Sequence, residues 1–438
     1  MWPFSSLYPT VKPSDIGVEQ ATGVPFISSD IFKKDSIART LNSLPQVHAD
    51  HRVIPLMRGQ VLGETSRVNP MFYTRGVPAD FNLLARYGPS ILELREDTAV
   101  FRPWENETFS HTTWPILPHC VPFDRATDRN MRRCSTYSAF LPPSTTRSRQ
   151  DPFSSKADGR PRAIGVEFGH HDGTEATYFA KASREAVVCH DAIESPQPLL
   201  LSGIGPNNPG VGNHVDVPVM WNIPLDKAIH VIIEKPWRAI FELIKYLILG
   251  RDILSNPFAH PAIFLPTRLL NENMEIVAPD SADLDSTLPQ NRPDLEIKPM
   301  PIYSLDPPPN ATTIFVEGVM NFIVCLLQLK SSDVIHLNSP DPYEASCDLR
   351  MLSDLEDLAV LTKVCAQGYP IKTYHCPISD SGKGINVGSH YMSSCRMALF
   401  GGTHLGVVDD KLCVHRVDGS SVFPDIMALH TMVPVVNL

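Results

Sequence analysis

The chain has 438 residues, of which 43% are hydrophobic and 20% charged, the balance of a folded protein rather than a disordered one. Its formal net charge of −10, with no dense lysine or arginine stripe, argues against nucleic-acid binding, where phosphate neutralisation supplies most of the affinity. The 41 prolines are many and the 24 glycines few, so connections are stiff and glycine-rich phosphate cradles scarce.

Nine cysteines without a C-x-x-C pair indicate neither a disulfide framework nor a zinc knuckle, and predict free thiols and no metal site. The opening MWPFSSLYPTVKPSD lacks the charged start and apolar core of a secretion signal, which sets a cytoplasmic expectation unless the N-terminus is incomplete. The most apolar stretches, Ile240–Leu249 and Ile314–Leu329, are too short or too charged to cross a bilayer, which needs about 20 apolar residues. They are expected to be buried core segments, with no membrane partner.

Residues 1–50 show no sustained period and predict an arm with one short helix. From Val53 the text VIPLMRGQVLGETSRVNPMFYTRG suits a loop and helix packed against something, and residues 103–160 suit irregular connections. Arg162–Phe168 and Thr177–Ala182 predict a hairpin turning at Asp172-Gly173, and Glu185–Cys189 a short buried strand. Ser195-Pro196 then predicts a serine-capped helix over Gln197–Ser202, stopped by Gly203 and Gly205. Strand, tight turn and helix are the grammar of an α/β domain. The runs VPVMWNIP, AIFLP, LEIKPMPIY and VIHLN, with a helix at Trp237–Leu249, predict an α+β region on an antiparallel sheet over 214–345. Ser353 and Glu356 have capping-box spacing ahead of a helix whose one face is Leu355, Leu358, Leu361 and Val364. The last block, 384–438, alternates short strands with turns.

Read alone, the residues name little chemistry. There is no G-x-S-x-G elbow, H-E-x-x-H pair or phosphate loop, and no G-x-G-x-x-G opens a helix. The string GIGPNNPGVG (203–212) is broken by Pro206 and Pro209. His170-His171 suit a solvated turn. His214, His390, His404, His415 and His430 each suit, taken singly, a surface or hydrogen-bonded core position.

Three passages together say more. Pro55–Gly76, Glu185–Gly212 (with SPQPLLLSGIGP at 195–206) and Gly384–Val436 resemble, in order and content, the marked segments of the glucose–methanol–choline (GMC) family of FAD-dependent oxidoreductases. The flavour is that of fungal aryl-alcohol-oxidase-like members. Asn130–Pro143, the hairpin at 162–182 and the stretch 334–361 join them more weakly. The resemblance implies an incomplete FAD-binding Rossmann-like domain over 51–213 and 384–438, with an antiparallel-sheet substrate domain over 214–383. It implies FAD as cofactor, a small-molecule alcohol as substrate, and oxidation by proton removal to a histidine with hydride transfer to flavin. In this pattern His390 of GSHYMSSCRM holds the place of the base and His430 of LHTMVPVV that of its partner. Arg58, Gly59, Gly63, Ser66 and Asn69 match the flavin cradle, and Asp409 the turn into the last flavin-domain strand.

The chain departs from that pattern in places. Residues 1–50 carry no G-x-G-x-x-G, and Glu64 stands where the cradle has a second glycine. His190-Asp191 replaces Ala-Gly, and about five residues of a strand after Gly419 are absent. The alternative expectation is therefore a cofactor-free, non-catalytic relative that serves as a binding or interaction protein.

Overall fold

The computed structural model describes Gly23 and residues 38–59, 64–73, 77–87, 161–169, 177–205, 210–229, 231–250, 253–255, 261–273, 275–277, 279–300, 318–337 and 345–367, with most of 119–135, 385–398 and 406–422. The strands are β1 (Ala38–Asn42), β2 (Pro55–Gly59), β3 (Phe72–Tyr73), β4 (His119–Pro122), β5 (Asp124–Arg125), β6 (Gly165–Gly169), β7 (Thr177–Lys181), β8 (Ala186–Val188), β9 (Gly210–Val211), β10 (Val215–Ile223), β11 (Pro261–Leu265), β12 (Leu295–Met300), β13 (Gly318–Leu326), β14 (Asp333–Leu337), β15 (Ala345–Asp348), β16 (Asn386–Val387) and β17 (Ser420–Val422). The helices are α1 (Pro78–Tyr87), α2 (Asp191–Glu194), α3 (Pro196–Leu201), α4 (Val231–Glu234), α5 (Pro236–Leu249) and α6 (Leu355–Gln367).

Six strands form the main sheet in the order β16-β10-β13-β12-β11-β4, every pairing antiparallel. Each of the four apolar runs of 214–345 supplies a strand, as expected. Two edge strands, β4 and β16, come from outside 214–383. Side chains alternate across a sheet with period two, and the register sorts them cleanly. On one face Val215 lies opposite Leu326 and Val217 opposite Val324, while Leu295 lies opposite Leu326 and Leu265 opposite Leu295. These residues join Leu361 and Val364 of α6, Ile335 of β14 and Leu56 of β2 in the largest core cluster. On the other face Asp216 lies opposite Cys325, and Cys325 opposite Glu296. One face is hydrocarbon and the other carries charge.

The remaining sheets are small: β1-β2, β3-β5, β6-β7, β15-β14-β9 and β17-β8. The hairpin β6-β7 forms as expected, although its turn residues Asp172 and Gly173 lie outside the described residues. The pair β17-β8 is the one parallel pair of named strands among the described residues, beside isolated parallel bridges such as Ser43–Cys347. The fold is thus mixed α/β, with an antiparallel sheet as its frame.

Four local expectations need correction. Strand β8 forms but is not buried: Val187 is 54% exposed, because a two-stranded ribbon leaves a face to water. Ser195 does precede a helix with Pro196 in its first turn, but it sits in the helical region and makes no side-chain cap; its Oγ accepts from the His190 amide instead. The capping box at Ser353 and Glu356 does not close. Asp354 takes the amide of Glu356, an acceptor one residue later starting the helix, and Leu355 faces water at 76% exposure. Lastly, α5 forms over the expected residues but is no core helix. Its large apolar side chains point outward, and its buried residues are Glu242 and Tyr246.

Leu295 is fully buried where β12, β11 and β13 meet the core. Leu295→Ala is expected to cost roughly 2–5 kcal/mol, the usual range for truncating an enclosed leucine; the midpoint of urea unfolding at unchanged slope is the measurement.

Candidate active site

His390 lies in the segment that follows β16, and backbone bonds fix that segment against the start of β10. The Gly388 amide donates to the His214 carbonyl at 2.7 Å, and Gly212 and Met392 exchange amide–carbonyl bonds of 2.6 and 2.8 Å. His390 sits between these two anchors. Gly388 permits the approach, since a Cβ there would fall 2.9 Å from the Cβ of His214. The result is a direct contact: His214 Nδ1 and His390 Nδ1 are 3.1 Å apart, with the rings at 84°. His214 is fully buried. His390 keeps some exposed surface, yet its ring is enclosed enough that burial first, and Lys298 second, lower its pKa to about 3.

That lysine belongs to the charged face of the main sheet. Glu296 and Lys298 are both nearly inaccessible and pair at 3.2 Å. Burial works against the Lys298 ammonium, but Glu296 and Asp216 outweigh it and raise its pKa. The same burial raises Glu296, only partly offset by Lys298, and drives the Cys325 thiol well up, so it stays a thiol. A neutral imidazole beside a fixed ammonium is therefore the resting state. Two neutral imidazoles that share an Nδ1–Nδ1 contact need one donor and one acceptor. When His390 Nδ1 donates to His214, Nε2 of His390 is left with a free lone pair.

The cradle residues gather nearby, and each is held by a visible partner. Arg58, at the end of β2, is buried, ion-paired with Asp191 and stacked 4.9 Å over the ring of Tyr391. Arg58 thus touches both the segment carrying His390 and Asp191, just ahead of the 195–206 signature. Asp191 has φ +59°, a conformation that glycine adopts freely and aspartate tolerates, and its Oδ1 accepts from the Ile193 amide at 2.9 Å. Gly59 is buried at the end of β2. Ser66 and Asn69, both buried, are tied together by Arg133, which donates to the Ser66 carbonyl at 2.9 Å, to Asn69 Oδ1 at 2.6 Å and to the Asn69 carbonyl at 2.6 Å. Burial, then Arg67, lower the Arg133 pKa to about 9.

The other expected site residues fare differently. Asp409 uses its Oδ1 on the amides of Lys411 and Cys413, both at 2.9 Å, and so organises the turn before β17. Gly63 and His430 lie outside the described residues, as do His170, His171, His404 and the side chain of Glu64. His415 bonds the Ala398 carbonyl at 2.9 Å, the structural role expected of a single histidine. The residues that reading by motif missed are His214, Lys298, Glu296 and Arg133. Lys298 and Glu296 had one signal: charged residues at alternate positions of an otherwise apolar strand, LEIKPM.

Two amide oxygens on this side of the sheet, Oδ1 of Asn213 and of Asn321, are buried without a hydrogen-bond partner. Buried polar atoms are normally satisfied, so these two await a polar group from outside the chain. The open cleft of about 450 Å³ lined by Thr267, Arg268, Arg292, Asp294 and Lys363 does not include the histidine pair and contributes nothing to it.

Known proteins resemble this chain in sequence and in fold. A family model described as GMC oxidoreductase matches residues 123–219. A GMC-type oxidoreductase of Mycobacterium bovis, itself uncharacterised, is 27% identical over 509 aligned residues, covering 94% of this chain and 89% of the relative. An oxygen-dependent choline dehydrogenase of Brucella canis is 26% identical over 230 residues, 40% of this chain and 41% of its own. Among solved structures, a formate oxidase of Aspergillus oryzae matches with a TM-score of 0.72 at 15% identity, over 94% of this chain and 86% of the other. A fungal aryl-alcohol oxidase matches with a TM-score of 0.61 at 15% identity, over 93% and 87%. In sequence over residues 123–219 and in fold over most of its length, the chain is similar to GMC oxidoreductases.

A depressed histidine pKa has a consequence for folding. Below an ordinary histidine value of about 6.5 the unfolded chain takes up a proton at residue 390, while the folded chain does not until about 3. The unfolded state binds more protons in that window, so stability falls as pH drops from 6.5 towards 3. His390→Gln is expected to flatten that part of the stability–pH curve, measured by urea titrations at several pH values.

Proposed function

We propose that this chain is an FAD-dependent oxidoreductase acting on the CH–OH group of an alcohol, with His390 taking the hydroxyl proton. The observation that carries this reading is the 3.1 Å Nδ1–Nδ1 contact with buried His214, which leaves His390 Nε2 as the atom to accept a proton. His214 acts on the reaction through His390, by fixing its ring and tautomer. Burial first, and Lys298 second, keeps the imidazole neutral, since a buried ring beside an ammonium resists taking a positive charge. A general base must be unprotonated to work, and His390 meets that condition across the physiological range.

When bound, the flavin supplies the electron-pair acceptor that side chains do not offer. The residues fit it at the ring end. Asn213 and Asn321 offer buried amide oxygens, and Arg58 of the β2 cradle reaches Tyr391, next to His390. The proton from the substrate hydroxyl passes to His390 Nε2, and the enclosed setting keeps water from competing for it. That the residues 1–50 lack G-x-G-x-x-G leaves the pyrophosphate without its usual helix N-terminus.

The deciding test is the visible spectrum of the purified chain with and without added FAD, followed by anaerobic addition of primary and secondary alcohols. Flavin absorbance that bleaches with an alcohol is expected. A colourless chain that ignores FAD overturns the reading in favour of a cofactor-free relative that binds without catalysis. The Asp191 carboxylate on Arg58 is the feature that favours this second reading, because it already meets a cation in the cradle.

Two variants test the roles. His390→Ala is expected to lower kcat by roughly 10²–10⁴-fold, the usual contribution of a general base, with the flavin spectrum retained. Lys298→Met removes the charge that depresses His390, so the acidic limb of kcat/KM is expected to move to higher pH, towards the ordinary histidine range.

A further inference from the structure

Helix α5 presents its apolar side outward. Trp237, Ile240, Phe241, Ile244, Leu247 and Ile248 are all exposed, Leu247 and Ile248 at 72% and 74%. At 100° per residue these six share one side of the helix, while Glu242 and Tyr246 on the opposite side are buried. Tyr246 anchors that inner side, its hydroxyl donating to the Met131 carbonyl at 3.2 Å. Soluble chains seldom leave so continuous an apolar face to water.

The composition around this face identifies what covers it. Every exposed residue from Lys235 to Leu249 is apolar, proline or lysine, in a chain of net charge −10. The single carboxylate of the helix, Glu242, is buried and held by Lys245 at 3.1 Å. The cations lie along one flank, with Arg238 stacked 5.5 Å over Trp237 and Lys245 5.3 Å over Phe241. Their apolar stems can run along the helix while the charged heads reach an anionic layer. A helix of 14 residues is about 21 Å long, too short to cross a bilayer, and no described helix is long and apolar enough to do so.

We infer that α5 is an interfacial helix that seats the protein on an anionic lipid surface, lying in the plane of the headgroups with Trp237, Phe241, Ile244 and Ile248 inserted. The expectation of buried core at Ile240–Leu249 fails here, since most of these side chains are exposed.

The test is co-sedimentation of the full chain with vesicles of phosphatidylcholine alone, and of phosphatidylcholine with about one third phosphatidylserine, compared with an Ile244→Glu/Ile248→Glu variant. Both positions are exposed, so the variant is expected to fold, with an unchanged circular dichroism spectrum. The chain is expected to pellet with the anionic vesicles and less with the neutral ones, and the variant to bind at least about tenfold more weakly. A chain that stays in the supernatant with both vesicles overturns the inference, as does a variant that binds as well as the parent. Light scattering that shows a dimer lost in the variant, without vesicle binding, assigns the face to a second copy and equally overturns it.

Discussion

A neutral imidazole that can neither drift nor charge is the constraint on which the site depends. Backbone bonds at Gly388 and Met392 clamp the segment around His390 against the start of β10. Side-chain flexibility is spent before any substrate arrives. A histidine so placed needs no loop closure to come into register, because its position follows from backbone pairing on either side. The same clamp excludes water from one side of the ring, and burial is the larger cause of its lowered pKa. Geometry and proton affinity thus come from a single device.

The main sheet supports this by separating its two tasks. The hydrocarbon face, with Val217, Val324, Leu295 and Leu326 in one cluster, holds the sheet to α6. The opposite face carries Asp216, Glu296 and Lys298, whose charges interact. A buried ion pair is a poor way to gain stability, since desolvation consumes most of the attraction, and a hydrophobic replacement is often no worse. The pair makes sense as a source of field. Lys298 with its carboxylate neighbours is a fixed positive charge beside a histidine, and the antiparallel ladder prevents either group from turning away.

Much of the frame was legible in the sequence, and the limits of that reading are physical. The four β-rich runs and the helix over 196–201 follow from alternation and from Pro196, both local signals. The motif singled out His390 because the loop around it has a recognisable composition. His214 was not singled out, because its partner lies 176 residues away and nothing local to either histidine encodes that contact. Helix caps failed at Ser195 and at Ser353 for a related reason: an equally good acceptor one residue away, or a competing amide, decides which oxygen caps. Orientation of α5 failed because apolar content alone cannot say which side of a helix meets the protein. Glu242 and Tyr246, the two buried side chains, decide it, the latter through its bond to the Met131 carbonyl.

The replacement of Ala-Gly by His190-Asp191 shows how a departure from a family pattern is absorbed. A residue at 191 must adopt positive φ, which costs an L-residue roughly 1 kcal/mol. Aspartate offsets this locally by accepting the Ile193 amide, and its carboxylate also meets buried Arg58. The exchange therefore keeps the turn while changing the electrostatics of the cradle: a guanidinium that would stand as a free cation is neutralised in place. An anionic cofactor then meets less positive charge at this point. Whatever affinity the chain has for such a cofactor must come from elsewhere, and the fold offers Arg67 and Arg133, two further buried cations close enough that one depresses the other.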